Sequence, residues 1–240
     1  MKNIDLEEKI IIAMDVEEKE RALNLVRMLR HAKIIKIGYR LFIKYGVSIL
    51  KNIQKLDKKV FLDLKLHDIP NTVAEGIRQA TNHKVFMLTI HALGGKEMIK
   101  RAVEVANEEA DKLSIPKPKI LAVTILTSLK EKDLIEIGIQ NNVKDEVLNL
   151  AKLAIESGVD GIVCSPLEIE LLRKNIGKEP LIVTPGIRPL WSQKNDQKRV
   201  MTPKEAIEKG ADYLVIGRPI IQASNPKQAF LKIIDEIREN

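Results

Sequence analysis

The feature that most constrains the fold of this chain is a regular alternation of short apolar runs with longer amphipathic stretches. Each run is nearly unbroken in apolar content, which is typical of parallel strands buried on both faces. Eight such alternations over 240 residues predict an α/β fold, a single-domain (β/α)8 TIM barrel over residues 1–240, rather than a doubly wound sheet. The predicted strands are Ile10–Met14, Ile34–Ile37, Val60–Leu64, Val85–Ile90, Ile120–Leu126, Gly161–Cys164, Leu181–Thr184 and Tyr213–Ile216.

Two short motifs mark helix starts within this alternation. Thr202-Pro203-Lys204-Glu205 supplies an N-cap threonine, a first-turn proline and a capping-box acid, and Gly210 is expected to end that helix. Ser165-Pro166-Leu167-Glu168 has the same arrangement. We therefore expect helices to begin directly after Thr202 and Ser165.

Composition and charge exclude several classes of protein. No stretch approaches the roughly 20 apolar residues of a membrane span, and Met1–Lys9 is too charged for a secretory signal, so we expect a cytoplasmic protein without membrane contact. The net charge is +7, but lysines alternate with acids, and aromatic residues make up only 3% of the chain. Long basic blocks and stacking platforms are the usual marks of nucleic-acid binding, so we expect no nucleic-acid partner and favour a small anionic substrate.

Polar residues lie at the carboxyl ends of the predicted strands, where barrel enzymes carry their active sites. Because these ends meet at one mouth of a barrel, the side chains should converge on a single site. The residues concerned are Asp15 after the first strand, Lys36 in the second, Asp63 and Lys65 at the end of the third, Thr127 after the fifth, and Gly217 and Arg218 after the eighth.

The segment around Lys65 indicates proton chemistry. Strand spacing puts Asp63 and Lys65 on one face, and Asp68 follows just past the strand. Placing two carboxylates around one lysine costs free energy, so the arrangement indicates that the charge and the proton of the lysine are used in a reaction. A structural ion pair between Lys65 and Asp63 is the simpler alternative. A Schiff-base lysine is less favoured, because flanking carboxylates would hold it protonated and poorly nucleophilic.

A phosphate site and a lid are predicted beside this cluster. Gly217-Arg218-Pro219 supplies a flexible backbone amide and a guanidinium after the last strand, where barrels often hold a phosphate. The polar segment 188–202 lacks apolar periodicity and follows a proline and a glycine, so we interpret it as an active-site lid. Gln197 within it could reach the phosphate.

Histidines and the single cysteine do not indicate a metal site or a nucleophile. His67 lies between Lys65 and Asp68, and His91 ends the fourth strand, but no metal-ligand spacing joins them. A lysine ammonium beside two acids would occupy the position of a divalent ion. Cys164 cannot form an internal disulfide and suits a small buried position. We expect no metal site.

The segment Phe61-Leu62-Asp63-Leu64-Lys65-Leu66-His67-Asp68-Ile69-Pro70-Asn71-Thr72-Val73 closely resembles the signature of the orotidine 5′-phosphate decarboxylase family. That resemblance implies loss of CO₂ from carbon 6 of orotidine 5′-phosphate to give uridine 5′-phosphate, UMP, the last step of de novo UMP synthesis, without metal or organic cofactor. It extends through Ala13-Met14-Asp15, Ile35-Lys36-Ile37-Gly38, Val123-Thr124-Ile125-Leu126-Thr127-Ser128, Thr184-Pro185-Gly186-Ile187-Arg188 and Val215-Ile216-Gly217-Arg218-Pro219.

The resemblance also implies a role for each catalytic residue. Lys65 would stabilise the negative charge at carbon 6 and protonate that carbon, while Asp63 would lie near the departing carboxylate. Lys36 would complete an alternating array of charges. Asp68 would reach the active site of a neighbouring subunit together with Thr72, which implies a symmetric homodimer.

Contacts to the rest of the substrate follow from the same family pattern. Asp15 and Lys36 would bind the ribose hydroxyls. Thr127 and Ser128 would contact the amide edge of the pyrimidine, and Pro185 belongs to the same substrate-binding motif as Arg188. The phosphate would be held by Arg188, Gln197, Gly217 and Arg218.

Two other functions are compatible with parts of the pattern. Sugar-phosphate decarboxylases and aldolases of the same superfamily, such as keto-gulonate phosphate decarboxylase and hexulose phosphate synthase, share the D-x-K-x-x-D motif and use Mg²⁺. Their second strand usually presents an acid that helps to bind the metal, whereas this chain has Lys36 there, and a cation repels a cation. The second alternative is a catalytically inactive barrel that binds nucleotides or RNA. Such a protein would lack some of the catalytic residues of the family, whereas this chain has a matching residue at every catalytic position.

Overall fold

Eight parallel strands close into a barrel in which each strand pairs with its sequence neighbours and β8 pairs with β1. The structure is a computed structural model that describes residues 5–192 and 201–238. The predicted (β/α)8 barrel is therefore confirmed. The strands are β1 Ile10–Ala13, β2 Ile34–Ile37, β3 Lys59–Leu66, β4 Met87–His91, β5 Lys119–Val123, β6 Gly161–Val163, β7 Leu181–Thr184 and β8 Tyr213–Ile216.

Helices connect successive strands and cover the outside of the barrel. The described α-helices are α1 Leu6–Lys9, α2 Lys19–Met28, α3 Tyr39–Tyr45, α4 Val47–Gln54, α5 Pro70–Asn82, α6 Gly95–Leu113, α7 Glu131–Glu136, α8 Val143–Glu156, α9 Ile169–Ile176, α10 Pro203–Glu208, α11 Arg218–Ile221 and α12 Pro226–Arg238, with 3₁₀ turns at Ala92–Gly94 and Pro166–Glu168.

The two predicted helix starts are confirmed. Thr202 caps α10 through its hydroxyl, which accepts the amide of Glu205, and Glu205 accepts the amide of Thr202 in return. Ser165 and Glu168 form the same reciprocal pair, but the element that begins there is a 3₁₀ turn leading into α9. Both arrangements satisfy backbone donors that a helix start would otherwise leave without partners.

Strand boundaries differ from the prediction most at β5, at β3 and at β4, which begins at Met87 rather than at Val85. β5 ends at Val123, not at Leu126, because the chain leaves the barrel at Thr124 although its sequence remains apolar. β3 runs two residues further than predicted, to Leu66. Apolar content alone does not distinguish a strand from a buried turn, so such errors are expected at strand ends.

Apolar side chains form two concentric layers. Between strands and helices lies a large cluster that includes the buried face of α5, where Val73, Ala74 and Ile77 face the barrel. Inside the barrel a smaller cluster fills the lower part of the channel and forms a solid floor beneath the mouth. Its members are Ile11, Ala13, Ile34, Phe61, Met87, Leu121, Leu181, Val183, Tyr213 and Val215.

Two aspartates make the same set of contacts at the amino-terminal edge of the barrel, where each carboxylate accepts a backbone amide and a basic side chain. Asp160 directly precedes β6, and its carboxylate accepts the Ile120 amide at 2.8 Å and the Lys117 ammonium at 2.9 Å. Asp212 directly precedes β8, and its carboxylate accepts the Ile182 amide at 2.7 Å and the guanidinium of Arg173. A left-handed glycine lies two residues before each aspartate. These bonds therefore tie neighbouring strands together at the end away from the mouth.

Within the described residues, no helix is both long enough and apolar enough to cross a membrane.

Candidate active site

A cleft of about 260 Å³ opens at the carboxyl ends of the strands, directly above the apolar floor of the barrel. Its lining consists largely of residues that the sequence predicted, which come from six strands and the loops that follow them. These are Asp15, Lys36, Asp63, Lys65, Thr127, Pro185, Arg188, Gly217 and Arg218.

Sequence reasoning missed the apolar part of this lining. Ala13, Phe61, Val163 and Val215 line the cleft beside the charged residues. Phe61 could have been found from strand alternation, because it lies on the same face of β3 as Asp63 and Lys65. The cleft thus pairs an apolar base with a charged rim, which is a common arrangement in small-molecule sites.

Four charged side chains alternate in sign across the cleft. The Lys65 Nζ atom lies 2.9 Å from Asp63 Oδ1, and the Lys36 Nζ atom lies 3.2 Å from Asp63 Oδ2. Lys36 Nζ also lies 3.6 Å from Asp15 Oδ1. Asp63 is therefore shared by two ammonium groups, and Lys36 by two carboxylates.

Burial and neighbouring charges act in opposite directions on the central pair. Burial would raise the pKa of the Asp63 carboxyl, but Lys36 and Lys65 outweigh burial and hold that pKa below its usual range. Burial would lower the pKa of the Lys36 ammonium, but Asp63 and Asp15 hold it above its usual range. Both groups therefore remain charged at neutral pH.

The end of β3 departs from regular strand geometry where it carries these residues. Lys65 has a positive φ of 46°, and the pairing between β3 and β4 shifts register between Leu62 and Leu66. Thr89 on β4, which was not predicted as a site residue, bridges the irregular segment. Its hydroxyl donates to Asp63 Oδ1 at 2.9 Å and accepts the Lys65 amide at 2.8 Å.

The opposite wall carries the arginines predicted for phosphate. Arg188 is only 7% exposed and donates to the Ile187 carbonyl at 2.8 Å. Arg218 opens α11, directly after Gly217. A side chain at Gly217 would stand 3.3 Å from both the Cβ and the carbonyl oxygen of Ala13, so glycine lets the backbone approach β1 closely.

Only the two ends of the predicted lid 188–202 are described. The Arg188 amide donates to the Met201 carbonyl at 2.9 Å, and Ile187 pairs with Met201. The two ends of the segment therefore meet beside the cleft. Gln197 lies outside the described residues.

Three other predicted residues do not line the cleft. Asp68 is exposed, and its carboxylate accepts the Ile69 amide at 2.7 Å. No ion pair joins Asp68 to Lys65 within residues 5–192 and 201–238. Thr72 lies exposed in the first turn of α5, and Ser128 lies exposed in the turn after β5.

The histidines pack against each other at the rim. The rings of His67 and His91 are stacked with centroids 5.3 Å apart. Burial, followed by electrostatic interaction with His67 and Lys65, lowers the pKa of His91 to about 4. Among the described residues, no group of three His, Cys, Asp or Glu side chains is arranged to hold a metal ion. Cys164 is buried, and burial raises the pKa of its thiol.

A charge-lined cleft over an apolar floor at the carboxyl mouth of a (β/α)8 barrel is the arrangement of a barrel enzyme. The sequence profile of the orotidine 5′-phosphate decarboxylase / HUMPS family matches residues 8–233. The chain belongs to this family, so the resemblance seen in the sequence is confirmed.

Individual relatives agree with this membership. The orotidine 5′-phosphate decarboxylase of Syntrophomonas wolfei is 51% identical over 97% of this chain and 99% of that protein. The enzyme of the same name from a Geobacter species is 48% identical over 95% of each chain. The crystal structure of orotidine 5′-phosphate decarboxylase from Lactobacillus acidophilus superposes with a TM-score of 0.84, at 39% identity, over 97% of this chain and all of that one.

Proposed function

We propose that the chain converts orotidine 5′-phosphate to UMP and CO₂ in the last step of de novo UMP synthesis, without metal or organic cofactor. The names of the relatives support the reaction. The observation that carries the mechanism is the Lys65 ammonium, which Asp63 holds at 2.9 Å inside the cleft. A charged lysine at that place is both an electrostatic stabiliser and a source of a proton.

The proposed reaction consumes only the substrate and one proton. The bond between carbon 6 and the carboxylate breaks, its electron pair stays on carbon 6, and CO₂ leaves. Lys65 stabilises the developing negative charge and transfers a proton from Nζ to carbon 6, then regains a proton from solvent. Asp63 would lie beside the departing carboxylate and keep Lys65 charged and aimed.

Other residues of the cleft and of the turn after β5 would hold the remainder of the substrate. Asp15 and Lys36 would bind the ribose hydroxyls, and Lys36 also keeps Asp63 ionised. Thr127 and Ser128 would contact the amide edge of the pyrimidine, and Pro185 would pack against the substrate from the β7 loop.

The phosphate would bind on the opposite side of the cleft. Arg188, Gln197, Gly217 and Arg218 are the proposed contacts, and the segment 188–202 would close over them. Binding energy from a phosphate remote from carbon 6 can thereby contribute to the transition state.

The enzyme would act as a homodimer. We infer that Asp68 and Thr72 reach the active site of the neighbouring subunit, because both are exposed and neither lines the cleft of its own chain. Ile69, between them in sequence, is 68% exposed although it is apolar, which supports an interface at this place.

The rival function is a Mg²⁺-dependent decarboxylase or aldolase acting on a sugar phosphate. The residues present do not fit that ion well, because the Lys36 ammonium already lies between the Asp15 and Asp63 carboxylates. A divalent cation would have to displace a buried lysine from the acids that neutralise it.

The ultraviolet absorbance of orotidine 5′-phosphate, followed with CO₂ release in excess EDTA, separates the two functions. Conversion to UMP in EDTA is the expected result. Absence of conversion, together with activity on a ketose phosphate after addition of Mg²⁺, would refute the proposal and assign the chain to the sugar-phosphate branch.

A further inference from the structure

The peptide bond between Leu64 and Lys65 leaves the regular ladder of the barrel. Strand β3 pairs with β4 at Leu62 with Leu88 and again at Leu66 with Ile90, so β3 advances four residues while β4 advances two. The extra residues bend β3 at the place where its catalytic side chains project. Lys65 takes a left-handed conformation there, which a residue other than glycine adopts only when its surroundings hold it.

Two side-chain hydroxyls replace the backbone partners that this peptide has lost. The Tyr39 hydroxyl donates to the Leu64 carbonyl at 2.6 Å. The Lys65 amide donates to the Thr89 hydroxyl at 2.8 Å. Both polar groups of this peptide are thus held by side chains of the two neighbouring βα units. Tyr39 is the first residue of α3, which follows β2, and Thr89 lies on β4.

The Thr89 hydroxyl has one proton, and its partners determine where that proton goes. The Lys65 amide can only donate, so the hydroxyl accepts from it and gives its own proton to Asp63 Oδ1 at 2.9 Å. The same Oδ1 atom accepts the Lys65 ammonium. Thr89 therefore contacts both the backbone of Lys65 and the carboxylate that aims its ammonium, and Thr89 is only 1% exposed.

We propose that Thr89 and Tyr39 are positioning residues that hold the Leu64–Lys65 peptide in its left-handed bend and thereby aim the Lys65 ammonium into the cleft. This inference rests on the proposed function, because it gives the bend a purpose in protonating carbon 6. In a regular strand the side chains of residues i and i+2 project side by side from one face, whereas here the bend lies at Lys65 itself and its Nζ atom lies 2.9 Å from Asp63 Oδ1. Displacement of a catalytic group by about 1 Å can slow a reaction by about 100-fold.

The decisive comparison is Thr89→Val against Thr89→Ser. Valine keeps the shape of threonine but has no hydroxyl, whereas serine keeps the hydroxyl and loses a methyl group. We expect Thr89→Val to lower kcat by about 10- to 100-fold, with the KM for orotidine 5′-phosphate and the Kd for UMP changed by no more than about twofold, and Thr89→Ser to recover most of kcat.

Thr81→Val is the matched control, because Thr81 is equally buried but only donates to the Ile77 carbonyl within α5. It should leave kcat unchanged. Tyr39→Phe should lower kcat by about threefold, since its hydrogen bond is more exposed. Combined with Thr89→Val, it should reduce kcat by less than the product of the two single losses, because both hydroxyls hold the same peptide.

Hydrogen exchange gives a readout that does not depend on activity. The Lys65 amide should exchange at least about tenfold faster in Thr89→Val than in the wild type, while strands on the far side of the barrel keep their rates. Wild-type kcat in Thr89→Val, a serine variant no better than the valine variant, or unchanged exchange at Lys65 would each overturn the inference. A wild-type protein without decarboxylase activity would refute the proposed function and the catalytic purpose of the bend, and exchange at Lys65 would still decide whether Thr89 holds this peptide.

Discussion

Replacing Asp63 with asparagine should destabilise the folded protein by about 3 kcal/mol, because it leaves the buried Lys36 ammonium without its nearest carboxylate. The two charges are 3.2 Å apart with side chains 11% and 13% exposed, which corresponds to about 5 kcal/mol of attraction at an effective dielectric constant of about 20. Asparagine keeps a dipole in the same place, and Asp15 remains 3.6 Å from Lys36, so the measured loss should fall below that attraction.

The assay is urea unfolding at pH 7, followed by circular dichroism, for Asp63→Asn, Lys36→Met and the double variant. The double variant should lose less stability than the sum of the single losses, because each single change leaves a buried charge unpaired. Glu18→Gln is the matched control: its partner Lys44 lies closer, at 2.6 Å, but both side chains are about half exposed. Its unfolding midpoint should stay near that of the wild type.

The same reasoning sets a pH dependence. The pKa of Asp63 is lower in the folded protein than in the unfolded chain, where it is near 3.8. Ionised Asp63 therefore stabilises the folded protein fully above the unfolded pKa, and this stabilisation is lost as the pH falls through the folded pKa. An Asp63→Asn variant as stable as the wild type at pH 7, or a Glu18→Gln variant destabilised to the same degree, would refute the argument that burial rather than distance sets the energy of these pairs.

Three further predictions follow from other parts of the molecule. Lys65→Ala should abolish turnover while calorimetry finds UMP binding largely intact, since the proposed phosphate and base contacts lie elsewhere; undiminished activity would exclude Lys65 as the proton donor. His91→Gln should flatten the loss of thermal stability between pH 7 and 4.5, because the unfolded chain protonates this histidine near pH 6.5 and the folded protein only at about pH 4; equally steep melting curves for both proteins would exclude this cause. Arg173→Met should lower the melting temperature through Asp212 at the amino-terminal edge of the barrel, while kcat at 25 °C stays unchanged; a parallel fall in kcat would show that this edge is coupled to the mouth.

The sequence was sufficient to predict the barrel and most of the charged cleft. Unbroken apolar runs indicate buried parallel strands, and the carboxyl ends of such strands meet at one mouth, so Lys36, Asp63 and Lys65 could be brought together without coordinates. Asp68 and Thr72 lie outside that cleft, and only the family resemblance, not strand spacing, suggested the site that we propose for them.

The role of Thr89 could not be predicted for a different reason. It depends on the register shift between β3 and β4, and no local residue pattern marks that shift. A glycine would have indicated the left-handed bend, but the position is occupied by Lys65. The apolar pattern overestimates the length of β5, because Ile125 is buried outside the strand and continues that pattern.

Asp160 and Asp212, directly before β6 and β8, stabilise one region of the molecule, whereas the residues of the cleft lie in another. The bonds of the two aspartates lie at the amino-terminal edge, with the apolar floor between them and the cleft. Substitutions that raise thermal stability can therefore be made on that face without altering the mouth of the barrel. The same face is suited to attachment to a surface or fusion to another protein. Selection or engineering could then change the thermal stability of this enzyme without changing its turnover rate.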